Sequence, residues 1–304
     1  VNGSASDRGA VSDDPWTVAQ VLERTAGYLE RHGSPNPRLD AELLLAHTLG
    51  LSRLELYVRH DRALAPPEAE LFKARARRRA GGEPVQYILG EAPFRHLVLR
   101  VTPDVLIPRP ETERLVDEVL VWAHATARDA PRILDVGTGS GAIALAFLQE
   151  IPGATAVASD VSEAALRIAA ENAAAYELAE RLELRRGDLF EALRPGESFD
   201  VVAANLPYVT EAESSALPRE VRDFEPAAAL VGGSTGLEVT GRLVAASPAW
   251  LRTGGLLACE IAPSQADALR RSVEGTPGLR YIAGYRDYAG RERGFLAERV
   301  PPSS

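Results

Sequence analysis

With 304 residues, 45% hydrophobic and 25% charged, the chain has the length of one to three domains and the composition of a globular protein, not of a disordered one. Of its 34 basic and 43 acidic residues, equal numbers fall within residues 1–84, so the net charge of −9 belongs to the remainder and argues against bulk nucleic acid as a partner. One cysteine (Cys259), no apolar run near the roughly 18 residues of a membrane span and no basic-then-apolar leader exclude a disulfide framework, a Cys-rich zinc site and a membrane partner; they predict a cytoplasmic location.

Residues 1–14 are small, polar and acidic and predict a disordered tail. From 15 to 83 the pattern is helical. Val18, Val21, Leu22 and Leu29 recur at three- and four-residue steps before Gly33 and Pro35. A second helix is predicted over 37–49, with Leu39, Leu43, Leu44 and Ala46 on one face, a third over 53–58, and a fourth over 66–81 opening on Pro66. Together they predict a small helical bundle. Its last helix carries Lys73, Arg75, Arg77, Arg78 and Arg79. That run suits a solvated helix end favoured by the dipole, or a docking surface for RNA or an acidic partner; the run alone does not choose.

Over 84–107 the period changes. Leu97, Leu99 and Val101 alternate with Val98, Arg100 and Thr102, which predicts a β-hairpin linker with turns near Gly90 and Pro103. A helix then opens at Pro110, with Glu111 and Glu113 in its first turn. From 131 strands and helices alternate. Strands are predicted over 132–136, 154–159, 182–186, 199–203, 256–261, 281–285 and 294–299, and helices over 142–150, 163–176, 237–251 and 264–273. This order predicts an α/β fold, a mainly parallel seven-stranded sheet covered on both faces, with the final pair an antiparallel hairpin at its edge.

Ligands of such sheets bind beyond the C-terminal strand ends, so the residues following each strand matter most. The first strand runs into Gly137-Thr138-Gly139-Ser140-Gly141 before a helix, a turn that lets the backbone approach a ligand at a helix N-terminus. The second ends at Asp160, placed to accept from both ribose hydroxyls. The third is followed by Asp188 and Leu189, a carboxylate and an apolar wall for an adenine. Three successive strand ends thus predict a nucleoside pocket. A dinucleotide and S-adenosylmethionine both fit that layout.

The fourth strand separates them. It ends in Asn205-Leu206-Pro207-Tyr208, a set with no evident use in hydride transfer. A planar amide or arylamine nitrogen is a poor nucleophile, because its lone pair is delocalised. Two acceptors aimed at its N–H groups, the Asn205 side-chain oxygen and the backbone carbonyl of Leu206, can hold it with that lone pair toward a methyl donor, and Tyr208 can stack on the flat group. Positioning of this kind contributes roughly 7–11 kcal/mol without a metal. A glutamine satisfies both acceptors, whereas a glutamate sets like charge against them. The histidines show no ligand spacing, and no metal is expected.

PVQYILG (84–90), VLIPRPETE (105–113), ILDVGTGSGAIALA (133–146), FEPAAALVGGSTGLE (224–238) and CEIAPSQ (259–265), with the strand-four cluster, resemble the glutamine methyltransferases that modify peptide chain release factors, over nearly all of residues 15–300. The resemblance implies a Rossmann-like class I methyltransferase domain over 108–304, behind an N-terminal helical substrate-docking domain (15–83). It implies methyl transfer from S-adenosylmethionine, giving S-adenosylhomocysteine, to the side-chain amide nitrogen of the glutamine in a Gly-Gly-Gln motif. It further implies that Gly137–Gly141, Asp160 and Leu189 line the cofactor, that Asn205–Tyr208 hold the glutamine, and that Arg109 and Glu111 lie near the cofactor's methionine end. On the residues alone, Arg109 and Glu111 read as an ion pair at a helix start. The release factor is the expected partner, and the chain is expected to act as a monomer.

Leu206 departs from the family's Asn-Pro-Pro-Tyr: the carbonyl survives, but the backbone restriction of a proline is lost. Ala262 stands where the family commonly has glycine. Asn-Leu-Pro-Tyr also resembles the ribosomal-RNA adenine N6-methyltransferases, the alternative reading, but those enzymes lack the N-terminal bundle and the IPRPETE segment. A non-catalytic nucleoside-binding or docking protein is a third possibility.

Overall fold

A computed structural model describes residues 16–126, 128–287 and 289–301. The tail expected over 1–14 lies outside these residues. Two compact units divide between Leu89 and Gly90.

The first unit holds α1 (Val18–Arg31), α2 (Pro37–Leu49), α3 (Arg53–Val58), α4 (Pro66–Ala80) and α5 (Val85–Leu89). α1 begins at a reciprocal cap, in which the Thr17 hydroxyl accepts from the Gln20 N–H and the Gln20 side chain accepts from the Thr17 N–H. Val18, Leu22, Leu29, Leu44, Leu45, Leu56 and Phe72 form its core. The expected apolar face of α2 needs correction. Leu39 is exposed, while Asp40 and Glu42 are buried. Ion pairs account for the exchange. Asp40 accepts from Arg79 at 2.6 Å and from the Ser34 hydroxyl; Glu42 accepts from Arg38, Arg53 and the Tyr57 hydroxyl. Arg79 is therefore an interior residue and leaves the basic run considered as a docking surface. Arg75 donates to the Thr48 hydroxyl and Arg78 to Glu83.

The second unit opens with an antiparallel hairpin, β1 (Glu91–Phe94) and β2 (Leu97–Arg100). The hairpin is real but shorter than expected. Residues from Val85 form helix α5; turns do fall at Gly90 and Pro103 as expected, but the turn joining the two strands is a further one, at Arg95-His96. No glycine marks that turn. Arg95 takes a φ of 52° because Glu113 accepts its N–H while Asp117 and Glu150 hold its guanidinium. Asn172 pins the hairpin, accepting from the Arg100 N–H and donating to its carbonyl and to that of Ser140.

Then follow α6 (Pro110–Ala125), β3 (Arg132–Val136), α7 (Ala142–Glu150), β4 (Thr155–Asp160), α8 (Glu163–Ala175), β5 (Leu182–Arg186) and β6 (Phe199–Ala204). After β6 come two short helices, α9 (Glu211–Ser214) and α10 (Arg219–Phe224), in a stretch for which the sequence pattern predicts no element. α11 (Glu238–Ala246), β7 (Leu251–Glu260), α12 (Ala266–Glu274), β8 (Leu279–Arg286) and β9 (Glu292–Arg299) complete the chain. α11 stops short of the expected 251 because Pro248 has no N–H to continue it. The freed residues extend β7 backward to Leu251, which pairs with Phe199 across a register shift.

The seven-stranded sheet has the order β5-β4-β3-β6-β7-β9-β8. Its first five strands are parallel, and β9 runs antiparallel between β7 and β8, one place in from the edge. Two apolar layers cover the sheet, one built around Leu115, Ile133, Leu145 and Phe147, the other around Leu134, Val202, Leu257 and Phe295. The chain leaves β3 toward β4 and β5 on one side and returns to β6 and β7 on the other. The gap between the ends of β3 and β6 is therefore the place where a ligand can enter.

Candidate active site

At that gap lies a cavity of about 520 Å³. Its floor is the turn from β3 into α7, where Gly137, Gly139 and Gly141 have φ of 74°, 55° and 87°. The positive φ at Gly137 favours glycine, and a Cβ there would also sit 2.9 Å from Leu206 Cδ2, so that the leucine would have to shift. The turn is braced from below. Asp135, fully buried, accepts from the Thr138 hydroxyl at 2.6 Å and from the Ala144 N–H at 3.1 Å. Burial raises its pKa to about 6, and its second oxygen has no partner among the described residues.

Asp160, ending β4, does two jobs within the turn. One oxygen accepts from the Gly139 N–H and the other from the Ser162 N–H, both at 2.9 Å. Desolvation raises its pKa despite these bonds. Each oxygen keeps a further lone pair for a ligand. Beyond β5, Leu189 adopts a φ of 50° in the cavity wall, and Asp188 is paired with Arg242 at 2.6 Å.

The opposite wall combines the strand-four residues with two loops. Asn205, Leu206 and Pro207 line the cavity. Asn205 Nδ2 donates to the Thr112 hydroxyl at 3.0 Å, and Thr112 donates to Glu260 at 2.6 Å. Among the described residues, neither Asn205 Oδ1 nor the Leu206 carbonyl accepts a hydrogen bond. Gln265 holds the segment beyond, donating to the carbonyls of Tyr208 and Gly236. Glu225, buried, accepts from Arg109 at 2.5 Å and from the Ile107 N–H at 3.3 Å, joining the 104–109 and 226–231 stretches that line the cavity.

Of the residues anticipated for the site, Arg109, Gly137, Thr138, Gly139, Ser140, Asp160, Asp188, Leu189, Asn205, Leu206 and Pro207 line this one cavity; Gly141, Glu111 and Tyr208 do not. Gly141 caps α7. The alternative reading of Arg109 and Glu111 as an ion pair with each other is not seen: Arg109 pairs with Glu225, and Glu111 faces Arg293 at 3.6 Å. Tyr208 donates to Glu260 at 3.3 Å. Burial and the neighbouring Glu260 carboxylate push its phenol well above the ordinary range. Both cations lining the cavity, Arg109 and Arg242, are neutralised by carboxylates, while Asp160 is not. The lining thus suits a positively charged or neutral ligand better than an anion.

Sequence reasoning missed Thr112, Glu225 and Glu260. Glu260 left a signal: an acidic residue directly after the apolar run Leu256–Cys259, one place beyond the Cys259 that pairs with Ala204. Its carboxyl is raised by burial from 4.5 to about 7. Among the described residues no group of His, Cys, Asp or Glu could hold a metal ion, and no helix is long and apolar enough to cross a membrane.

Strand order, the glycine turn and the acid at the end of β4 define a Rossmann-like class I methyltransferase fold. The catalytic domain of hMettl16, solved with an RNA hairpin, shares that fold with a TM-score of 0.53 at 16% identity, over 78% of this chain and 84% of that one. Residues 20–90 match the PrmC N-terminal domain family and residues 133–224 the methyltransferase domain family. A release factor glutamine methyltransferase of Rhodopirellula baltica is 40% identical over 93% of this chain and 96% of its own. One of Chlorobaculum tepidum is 43% identical over 92% and 96%. The chain belongs to the release factor glutamine methyltransferase family, whose cofactor is S-adenosylmethionine. The glycine cradle, the spare lone pairs of Asp160 and, among the described residues, the absence of a free cation in the lining all fit that cofactor.

Two outcomes are expected. Asp160→Ala weakens S-adenosylmethionine binding by roughly 1.5–3 kcal/mol, since it removes acceptors for the ligand and the anchor of Gly139; calorimetry showing parental affinity contradicts the assignment. The second concerns Glu260. Between its ordinary 4.5 and about 7 the folded chain keeps a proton that the unfolded chain has lost, so this residue makes stability fall as pH rises through that window. The stability of Glu260→Gln relative to the parent, from urea unfolding without cofactor, should increase by roughly 3 kcal/mol at most from about pH 4.5 to 7 and then level off. A pH-independent difference contradicts the burial effect.

Proposed function

We propose that this chain methylates the side-chain amide nitrogen of the glutamine in the Gly-Gly-Gln motif of a peptide chain release factor. The observation that carries the reading is the pair of unengaged acceptors, Asn205 Oδ1 and the Leu206 carbonyl, on a cavity wall whose floor is the glycine turn. When bound, S-adenosylmethionine supplies an electrophilic methyl group on a sulfonium sulfur. The glycine turn, Asp160, Asp188 and Leu189 would hold it. The chain's own work is then to orient the amide. Two acceptors take both N–H groups of a carboxamide and reject a carboxylate, and the fixed geometry supplies the rate gain that positioning gives. Pro207 stiffens the backbone between these acceptors and Tyr208, which is anchored through its hydroxyl. The first unit is assigned to docking the release factor, in keeping with its match to the PrmC N-terminal domain family.

Labelled S-adenosylmethionine and a release factor should yield label on the tryptic peptide that holds the Gly-Gly-Gln glutamine. Label absent there but present on adenine of RNA overturns the reading in favour of an N6-methyltransferase. Asn205→Ala should keep cofactor binding and lower kcat by about 10²- to 10³-fold, as removal of one precisely aimed polar partner does. Near-parental kcat removes the amide clamp. Leu206→Pro should leave activity similar or raise it, because the carbonyl is retained and the backbone stiffened; a collapse would show a site refitted around the leucine that packs on Gly137.

A further inference from the structure

An asparagine can hold substrate in two ways, because its oxygen and its NH₂ group are nearly the same size and lie on opposite sides of one carbon. The clamp works only with the oxygen turned to the substrate. With the NH₂ turned there instead, Asn205 would donate, and would favour a carboxylate over a carboxamide. Something must therefore decide which end of Asn205 faces the site.

The residues behind Asn205 make that decision. We propose that Glu260, acting through Thr112, locks the Asn205 amide with its oxygen toward the substrate, making the two a positioning pair that sets the preference for a carboxamide. The inference rests on the assignment of Asn205 to the substrate amide. Once ionised, above about pH 7, Glu260 only accepts, so the single hydroxyl proton of Thr112 then goes to Glu260, across a short 2.6 Å contact. The Thr112 oxygen can then only accept. What faces it at 3.0 Å must be a donor, the NH₂ of Asn205. A flipped amide would set oxygen against oxygen at that distance and lose a buried hydrogen bond.

Glu260 is itself held. Its other oxygen takes the Tyr208 hydroxyl, Arg293 pairs with Glu111 and Asp287 nearby, and only 1% of the residue is exposed. Burying a carboxylate in this way is unfavourable unless its partners are fixed, so the network leaves the Thr112 proton little choice. The fold supplies the alignment. Cys259 on β7 is paired with Ala204 on β6, so the next residues, Glu260 and Asn205, leave their strands side by side, and Thr112 in the first turn of α6 stands between them. Neither Thr112 nor Glu260 has to touch substrate.

The test, run above about pH 7 so that Glu260 is ionised, uses the full chain, a release factor with its Gly-Gly-Gln motif, and the same factor with that glutamine changed to glutamate. Thr112→Val keeps the shape and removes the hydroxyl. It should leave S-adenosylmethionine affinity within about twofold and the KM for the release factor little changed, while lowering kcat by about 10- to 100-fold, the scale of a misplaced reacting group. With S-adenosylhomocysteine bound, its preference for the glutamine over the glutamate form should narrow by about tenfold. Thr112→Ser, which restores the proton, should recover both quantities to within about threefold, a rescue that a packing role would not give. Should Thr112→Val fail to bind cofactor, Glu260→Gln carries the test, because a side-chain amide can present either end to Thr112 and should narrow the same preference. Parental kcat and preference in whichever of these variants binds cofactor, with Asn205→Ala impaired, overturn the positioning pair alone. Parental kcat in Asn205→Ala overturns the clamp on which it rests.

Discussion

Parallel pairing of β3 with β4 and β6, and of β6 with β7, is the constraint on which the site depends. It delivers four strand ends to one edge, and each carries a polar group that the apolar strand behind it does not need. Val136 leads into the glycine turn, Asp160 ends β4, Asn205 follows β6 and Glu260 ends β7. No one of these groups makes a site. Held at neighbouring strand spacings, about 4.8 Å apart, Asp160 reaches the Gly139 N–H, and Asn205 and Glu260 meet at Thr112.

The same arrangement explains why so many charges here are buried. Asp135 braces the glycine turn, Glu225 joins two lining segments, and Glu260 holds Thr112 and Tyr208. Each is costly to desolvate, and the pKa of each is raised for that reason. Each is retained where it fixes a loop that apolar packing could not fix, since apolar contacts are non-directional and a hydrogen bond specifies which atom faces which. The cavity lining is consequently preorganised, with its cations neutralised and its free acceptors few.

Leu206 shows how such a site absorbs a change. Proline at that position would restrict the backbone of Asn205; here the leucine side chain, buried, packs within van der Waals reach of Gly137 instead. A covalent restriction has been replaced by a packing contact between the cofactor turn and the substrate wall. The carbonyl, which is the chemical contribution of residue 206, belongs to the backbone and survives either way.

Strand positions, the glycine turn and Asp160, Leu189 and Asn205 were legible in the sequence, because each depends on local periodicity or on what directly follows a buried strand. The boundary of α11 was not read correctly although Pro248 marks it, and the turn at Arg95 carried no local signal because three distant carboxylates hold it. In the first unit, burial of Asp40 and Glu42 in place of Leu39 rests on arginines from other positions. Thr112 lies 93 residues from Asn205 and 148 from Glu260, and no spacing rule joins them. Sequence alone determined that polar or glycine-rich residues follow β3, β4, β5 and β6, since side-chain alternation and turn residues are local properties. Only the tertiary structure decided how those ends are hydrogen-bonded to one another, because the direction of a donated proton depends on partners that meet through the sheet.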